Sequence, residues 1–173
     1  SNFLFFSDKN NLLVLDLHFL LFCYLQLIDN LFEISVNQLN SKYEDTIVRE
    51  ANRNNIEPEL LASIIYVESS FRPRVVSSAD ACGLTQVIPK WTGGRETDGK
   101  KYNCEELKDP ETSIRVGAKI LGYIIKHYTG GNEDKALCMY NAGTVCLRNK
   151  DLYKKLYYVK KVRSIYDTIT DGC

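Results

Sequence analysis

The sequence predicts a mainly α-helical protein, and three observations carry that prediction. From residue 41 onward, apolar residues recur at the i, i+3, i+4, i+7 spacing of one helical face in several separate stretches. Helix-start chemistry stands ahead of them: Pro58 suits a first turn, where a missing N–H costs nothing, and Asp109-Pro110 combines an N-cap with the same device. Stop signals follow them, with Pro73 disfavouring helix at Arg72 and glycine at Gly130-Gly131 and Gly143.

The chain has 173 residues, which suits one domain large enough to bury a core without metal. Acidic and basic residues balance at 22 each, so net charge gives no argument for nucleic acid. Six cysteines form no C-x-x-C pair, and His18 and His127 are far apart, so no zinc site or other metal centre is expected. No cofactor is expected either. An even cysteine count suits disulfides in an oxidising compartment, although six cysteines allow about 15 connectivities.

The first forty residues are apolar in runs, with Leu17 to Ile28 the longest. No A-x-A cleavage pattern follows, and Asp16, His18 and Gln26 interrupt any membrane span. The expectation is a helix from about Asn11 to Phe32, docked on the domain or on a partner, with residues 1–40 forming one segment and 41–173 the domain.

In the domain, Ser41-Lys42-Tyr43-Glu44 fits the S-x-x-E capping box, and Tyr43, Ile47, Val48 and Ala51 give the inward face of a helix ending near Asn54. The next helix begins at Pro58. Its apolar face holds Leu61, Ile64 and Ile65, and then Glu68. A carboxyl on a core-like face, near the negative end of a helix dipole, should hold its proton to unusually high pH. That is what a general acid needs; from periodicity alone, a solvated helix-end residue is the competing reading.

Residues 72–79 read as loop, Gly83 to Val87 as a short helix stopped before Pro89, and Trp91 to Glu106 as a polar loop. From Asp109-Pro110 a long helix turns Ile114, Gly117, Leu121, Ile124 and Tyr128 inward, with His127 as a favourable charge near its end. Asn132 to Tyr140 gives a shorter helix, and Leu156, Val159, Val162 and Tyr166 give the stripe of the last one. The lysines of that last stretch (Lys154, Lys155, Lys160, Lys161) read as a solvated face.

Four blocks of this chain, in order, resemble the Slt-type lytic transglycosylases of bacterial cell walls, relatives of goose-type lysozyme. They are Glu68-Ser69-x-Phe71 with Pro73 and Ser77; Ala81-x-Gly83-Leu84-x-Gln86; Tyr140-Asn141-Ala142-Gly143; and Tyr158-Val159-x-x-Val162. The resemblance spans about Tyr43 to Tyr166. It implies a lysozyme-like helical domain with a groove for peptidoglycan glycan strands. It implies that Glu68 is the catalytic acid and that the Tyr140 hydroxyl reaches and positions that carboxylate.

Ser77 corresponds to a serine that hydrogen-bonds near the reacting sugar. Leu84, Thr85, Gln86 and Asn141 complete the implied substrate-binding set, Thr85 standing where the family has Met and Asn141 also holding its turn. Trp91 and Tyr102 rank as packing residues ahead of sugar stacking.

Most glycosidases pair two carboxylates; the family pattern supplies one, so the implied chemistry borrows the substrate's N-acetyl group and ends in a 1,6-anhydro sugar. The alternatives are a goose-type-like hydrolase using Asp80, or an inactive glycan-binding module of a secretion or phage assembly. The implied location is wall-facing: periplasmic, secreted or virion-associated. That location favours at least one disulfide.

Overall fold

The computed structural model describes residues 42–149 and 151–171, all within the second of two compact units, residues 36–173. The helix expected from Asn11 to Phe32 lies outside the described residues. Among them, eight α-helices follow in order: α1 Glu44–Arg53, α2 Pro58–Ser69, α3 Cys104–Leu107, α4 Pro110–His127, α5 Glu133–Ala142, α6 Val145–Arg148, α7 Leu152–Lys155 and α8 Tyr157–Asp171.

At the centre is α2. Leu60, Leu61, Ala62, Ile64 and Ile65 are all buried, so this helix is apolar nearly all round rather than along one stripe. Burying such aliphatic side chains contributes roughly 1.5–3 kcal/mol each. The last helix, α8, packs along α2 through Tyr158, Val159, Val162 and Ile165. Helix α4 packs against α1 and α5 and brings Ile114, Ala118, Leu121 and Ile124 into the same core. Glu68, one residue before the end of α2, is half-buried, whereas the helix's middle is enclosed in the core.

Several local expectations meet a different outcome. Helix α1 starts from Tyr43 with no side-chain cap at that position, and Ser41 of the expected S-x-x-E capping box lies outside the described residues. Its buried charged residue is Glu50, compensated by Arg49 at 2.9 Å and Arg53 at 2.8 Å, whereas Val48 is 39% exposed. Gly83 to Val87 is a turn, not a helix: Gly83 and Gln86 take φ of 79° and 51°, and Cys82 pairs with Val87 in a single antiparallel bridge. A left-handed φ at both ends of the segment is incompatible with helix.

Tyr128 caps the end of α4 and is 51% exposed, because the helix stops before the glycines. The stretch 91–106 has structure of its own, with 3₁₀ turns at Pro89–Trp91 and Arg95–Thr97 and a true capping box between Asn103 and Glu106. Within it Tyr102 is buried, while Trp91 is exposed.

Two disulfides join described residues, Cys82–Cys104 and Cys138–Cys146. The first fastens the 91–106 stretch to the turn beside α2. The second closes α5 onto α6.

Candidate active site

The turn Gly83–Gln86 is held from four directions, and Glu68 faces into the same region. Ser69, at the end of α2, places its hydroxyl 2.9 Å from the Leu84 carbonyl. Thr85 is locked to α4: its N–H donates to Ser113 Oγ at 3.2 Å and its hydroxyl to the Ser113 carbonyl at 2.8 Å. The Gln86 amide nitrogen donates to the carbonyls of Gly83 (2.8 Å) and Val75 (3.1 Å). From α5, the Tyr140 hydroxyl donates to the Thr85 carbonyl at 2.9 Å.

Close approach explains two glycines. A Cβ on Gly83 would lie 1.8 Å from the Leu107 carbonyl oxygen, and one on Gly117 would lie 2.5 Å from Thr85 Cβ. Only hydrogen at position 117 lets α4 come near enough to grip the turn.

Glu68 sits one residue before the end of α2 and is largely shielded from water. Burial pushes its carboxyl up to about 7 from an ordinary value of 4.5, and the Tyr158 hydroxyl works against that rise. Among the described residues no carboxylate contributes to the shift. The Tyr158 hydroxyl is buried, and no partner stands at ordinary hydrogen-bond geometry to it. Its influence on Glu68 is therefore that of a poised donor rather than a closed bond. Tyr140 and Tyr158 are both pushed upward, first by burial and then by the Glu68 charge, so both stay protonated and able to donate.

The residues singled out from the sequence are brought to this region in unequal ways. Glu68 is on the core-edge face expected of it. Tyr140 is close enough to feel the Glu68 charge, but its hydroxyl proton goes to the Thr85 carbonyl, not to the carboxylate. Leu84 and Thr85 are fully buried, so they shape the turn from beneath and present no surface to a ligand. The Ser77 hydroxyl accepts from the N–H groups of Ala79 (3.2 Å) and Ala81 (3.1 Å) and so shapes the loop before the turn. Asn141 is exposed beside the glycine that ends α5. Asp80 is exposed, with a φ of 61°.

Sequence reasoning passed over Tyr158, which it treated as part of a packing helix. The available signal was a tyrosine directly beside the Val159–Val162 stripe. Such a residue is buried with a hydroxyl that needs a partner. Among the described residues no His/Cys/Asp/Glu group is arranged to hold a metal, and no helix is long and apolar enough to cross a membrane.

The chain is 33% identical over 98 residues to the membrane-bound lytic murein transglycosylase E of Buchnera aphidicola, covering 54% of this chain and 44% of that protein. It is 32% identical over 120 residues to the membrane-bound lytic murein transglycosylase C of Yersinia pestis, covering 66% of this chain and 32% of that one. This chain thus spans less than half the length of these relatives.

Among solved structures, the 70-kDa soluble lytic transglycosylase in complex with bulgecin A superposes with a TM-score of 0.69 at 23% identity, over 83% of this chain and 26% of that one. An inactive mutant of the lytic transglycosylase Slt from Pseudomonas aeruginosa gives 0.64 at 24% identity, over 75% and 24%. At that identity the likeness shows the fold. The model of the transglycosylase SLT domain family matches residues 45–161, which takes in every element from α1 to the first turns of α8, and this chain belongs to that family.

Proposed function

We propose that this chain is a lytic transglycosylase acting on the glycan strands of peptidoglycan, facing the cell wall, with Glu68 as its single acid and base. The observation that carries the reading is a carboxyl held near neutral pKa by burial, beside two tyrosines and with no carboxylate acting on it. A hydrolase of the two-carboxylate kind would need a second acid across the sugar, and Asp80 is exposed to solvent.

In the first step the oxygen of the muramic N-acetyl group attacks C1 and the glycosidic bond breaks. The Glu68 proton goes to the departing oxygen of the next sugar. Glu68 is then a carboxylate, stabilised by the poised Tyr158 hydroxyl. In the second step that carboxylate takes the proton of the C6 hydroxyl while O6 closes onto C1 and releases the N-acetyl oxygen. The acid is regenerated, no water is consumed, and the product ends in a 1,6-anhydro ring. A pKa close to 7 serves both halves of this cycle, since the same group must give and take a proton.

Tyr140 acts in this scheme through the turn: its bond to the Thr85 carbonyl fixes the wall facing Glu68. Ser77, Gln86 and Asn141 are the candidates for sugar contacts, with Leu84 and Thr85 shaping the wall from beneath.

Digesting purified peptidoglycan and weighing the fragments tests the reading. The expected products are lighter by one water than those of hydrolysis, and Glu68→Gln is expected to lower the rate at least about a thousandfold while glycan binding persists. Fragments of hydrolytic mass would replace this reading with a lysozyme-like one, and undiminished activity in Glu68→Gln would remove Glu68 from the chemistry.

A further inference from the structure

On α4, Arg115, Val116 and Lys119 border a cavity of about 250 Å³, closed on its other side by Thr97, Asp98, Lys100 and Tyr102 of the disulfide-fastened loop. Its charges are unequal: three cations share the rim with one carboxylate, Asp98, which is bonded to Lys119. Lys100 lies over the Tyr102 ring at 4.5 Å and only 3.8 Å from Glu106.

Of the cavity's charged side chains, Arg115 alone makes no ion pair among the described residues. Its guanidinium has long contacts of 3.4 Å to the Tyr102 hydroxyl and 3.5 Å to the Thr112 hydroxyl. A guanidinium presents parallel N–H donors that match a carboxylate in a two-point contact, and neutral partners at such lengths leave that capacity unused.

The floor adds a second requirement. Val116 is 2% exposed and Tyr102 8%, so the cations ring an apolar base. A bare inorganic anion would gain nothing from that base. We propose that this cavity is a binding site for a small carboxylate carried on a short apolar stem, such as the C-terminal residue of a peptide. Arg115, the cation unpaired among the described residues, takes the carboxylate, and Val116 with Tyr102 receives the stem. The volume is below the roughly 300–1,000 Å³ typical of drug-sized ligands, which fits one or two residues. This site is separate from Glu68 and does not depend on the activity proposed above.

Titrating the ¹⁵N-labelled chain with N-acetyl-alanyl-alanine, its C-terminal amide, and inorganic phosphate at equal ionic strength tests it. The expected result is saturable movement of the Thr97, Asp98 and Lys119 amide signals with the acid, and at least tenfold weaker binding of the amide and of phosphate. Arg115→Met is expected to weaken the acid at least tenfold, and Glu68→Gln to leave it unchanged. Should Arg115→Met fail to fold, Arg115→Lys, which keeps the charge and loses the fork, is expected to weaken it severalfold. Equal binding of acid and amide, phosphate as tight as the acid, or an Arg115 variant that binds normally would each overturn the site.

Discussion

At position 68 a single proton couples chemistry to stability. The folded state holds it up to a pH of about 7, whereas the unfolded chain releases it near 4.5. Between those values the folded form binds more protons, so stability declines as pH rises through that window and the full cost is present above 7. At about 1.4 kcal/mol per pKa unit the cost is at most about 3.5 kcal/mol. Glu68→Gln, which cannot ionise, is therefore expected to stabilise the protein by up to that amount above pH 7 and by little below 4.5, as measured by denaturant unfolding at several pH values. The same proton sets activity: kcat/KM should fall as pH rises past about 7, because the acid form is consumed. Tyr158→Phe gives a contrasting expectation. Its hydroxyl lowers the Glu68 pKa, so removal should carry the alkaline limb of the profile to higher pH and slow turnover roughly 10- to 100-fold. Stability should hold or rise, since a buried hydroxyl without a closed bond costs about 1–3 kcal/mol. An unmoved pH limb would show that this tyrosine only fills space.

Elements, more than single residues, show where sequence reading succeeds and fails. Helices α2, α4 and α5 were legible from a chemical start or stop, as with Asp109 accepting from the Thr112 N–H at 2.9 Å, and α8 from its apolar stripe alone. Glu68 was legible for the same reason, as a charged residue in an otherwise apolar stripe. The Gly83–Gln86 turn was not: its conformation is imposed by Leu107, Ser113 and Tyr140, all distant in sequence, and a four-residue segment has no period to betray it. The partner of Tyr140 escaped for a related reason, since a backbone carbonyl carries no signature in sequence. Gly117 tests whether helix–turn proximity matters to function. Adding one methyl drives it into Thr85, so Gly117→Ala is expected to cost about 1–3 kcal/mol by overpacking. Because Thr85 also anchors Tyr140, activity should fall more steeply than stability does, as rates measured well below the melting temperature would show. Equal loss of both would mean that the turn has no part in positioning the site.

For the molecule as a whole, the two bridges divide the work of constraint. Cys82–Cys104 closes a loop of 22 residues and Cys138–Cys146 one of 8, and the two loops share no residue. Chain-entropy arguments give roughly 3 kcal/mol for the larger and about 2.5 kcal/mol for the smaller. Cys82 and Cys138 are buried, so a serine pair in either place also sets hydroxyls in apolar surroundings; alanine pairs isolate the loop effect better. Opening the larger bridge with Cys82→Ala and Cys104→Ala should lower the melting temperature by roughly 6–12 °C, at about 2–4 °C per kcal/mol for a domain of this size. The smaller bridge should cost slightly less, and the two losses should add, because the bridges share no partner. Together they approach the roughly 5–15 kcal/mol by which whole domains are stable. A reducing environment is then expected to leave the domain close to unfolding, which is compatible with the wall-facing action proposed above. Melting with and without dithiothreitol measures this directly, and a melting temperature indifferent to reductant would show that these four cysteines are free thiols in solution.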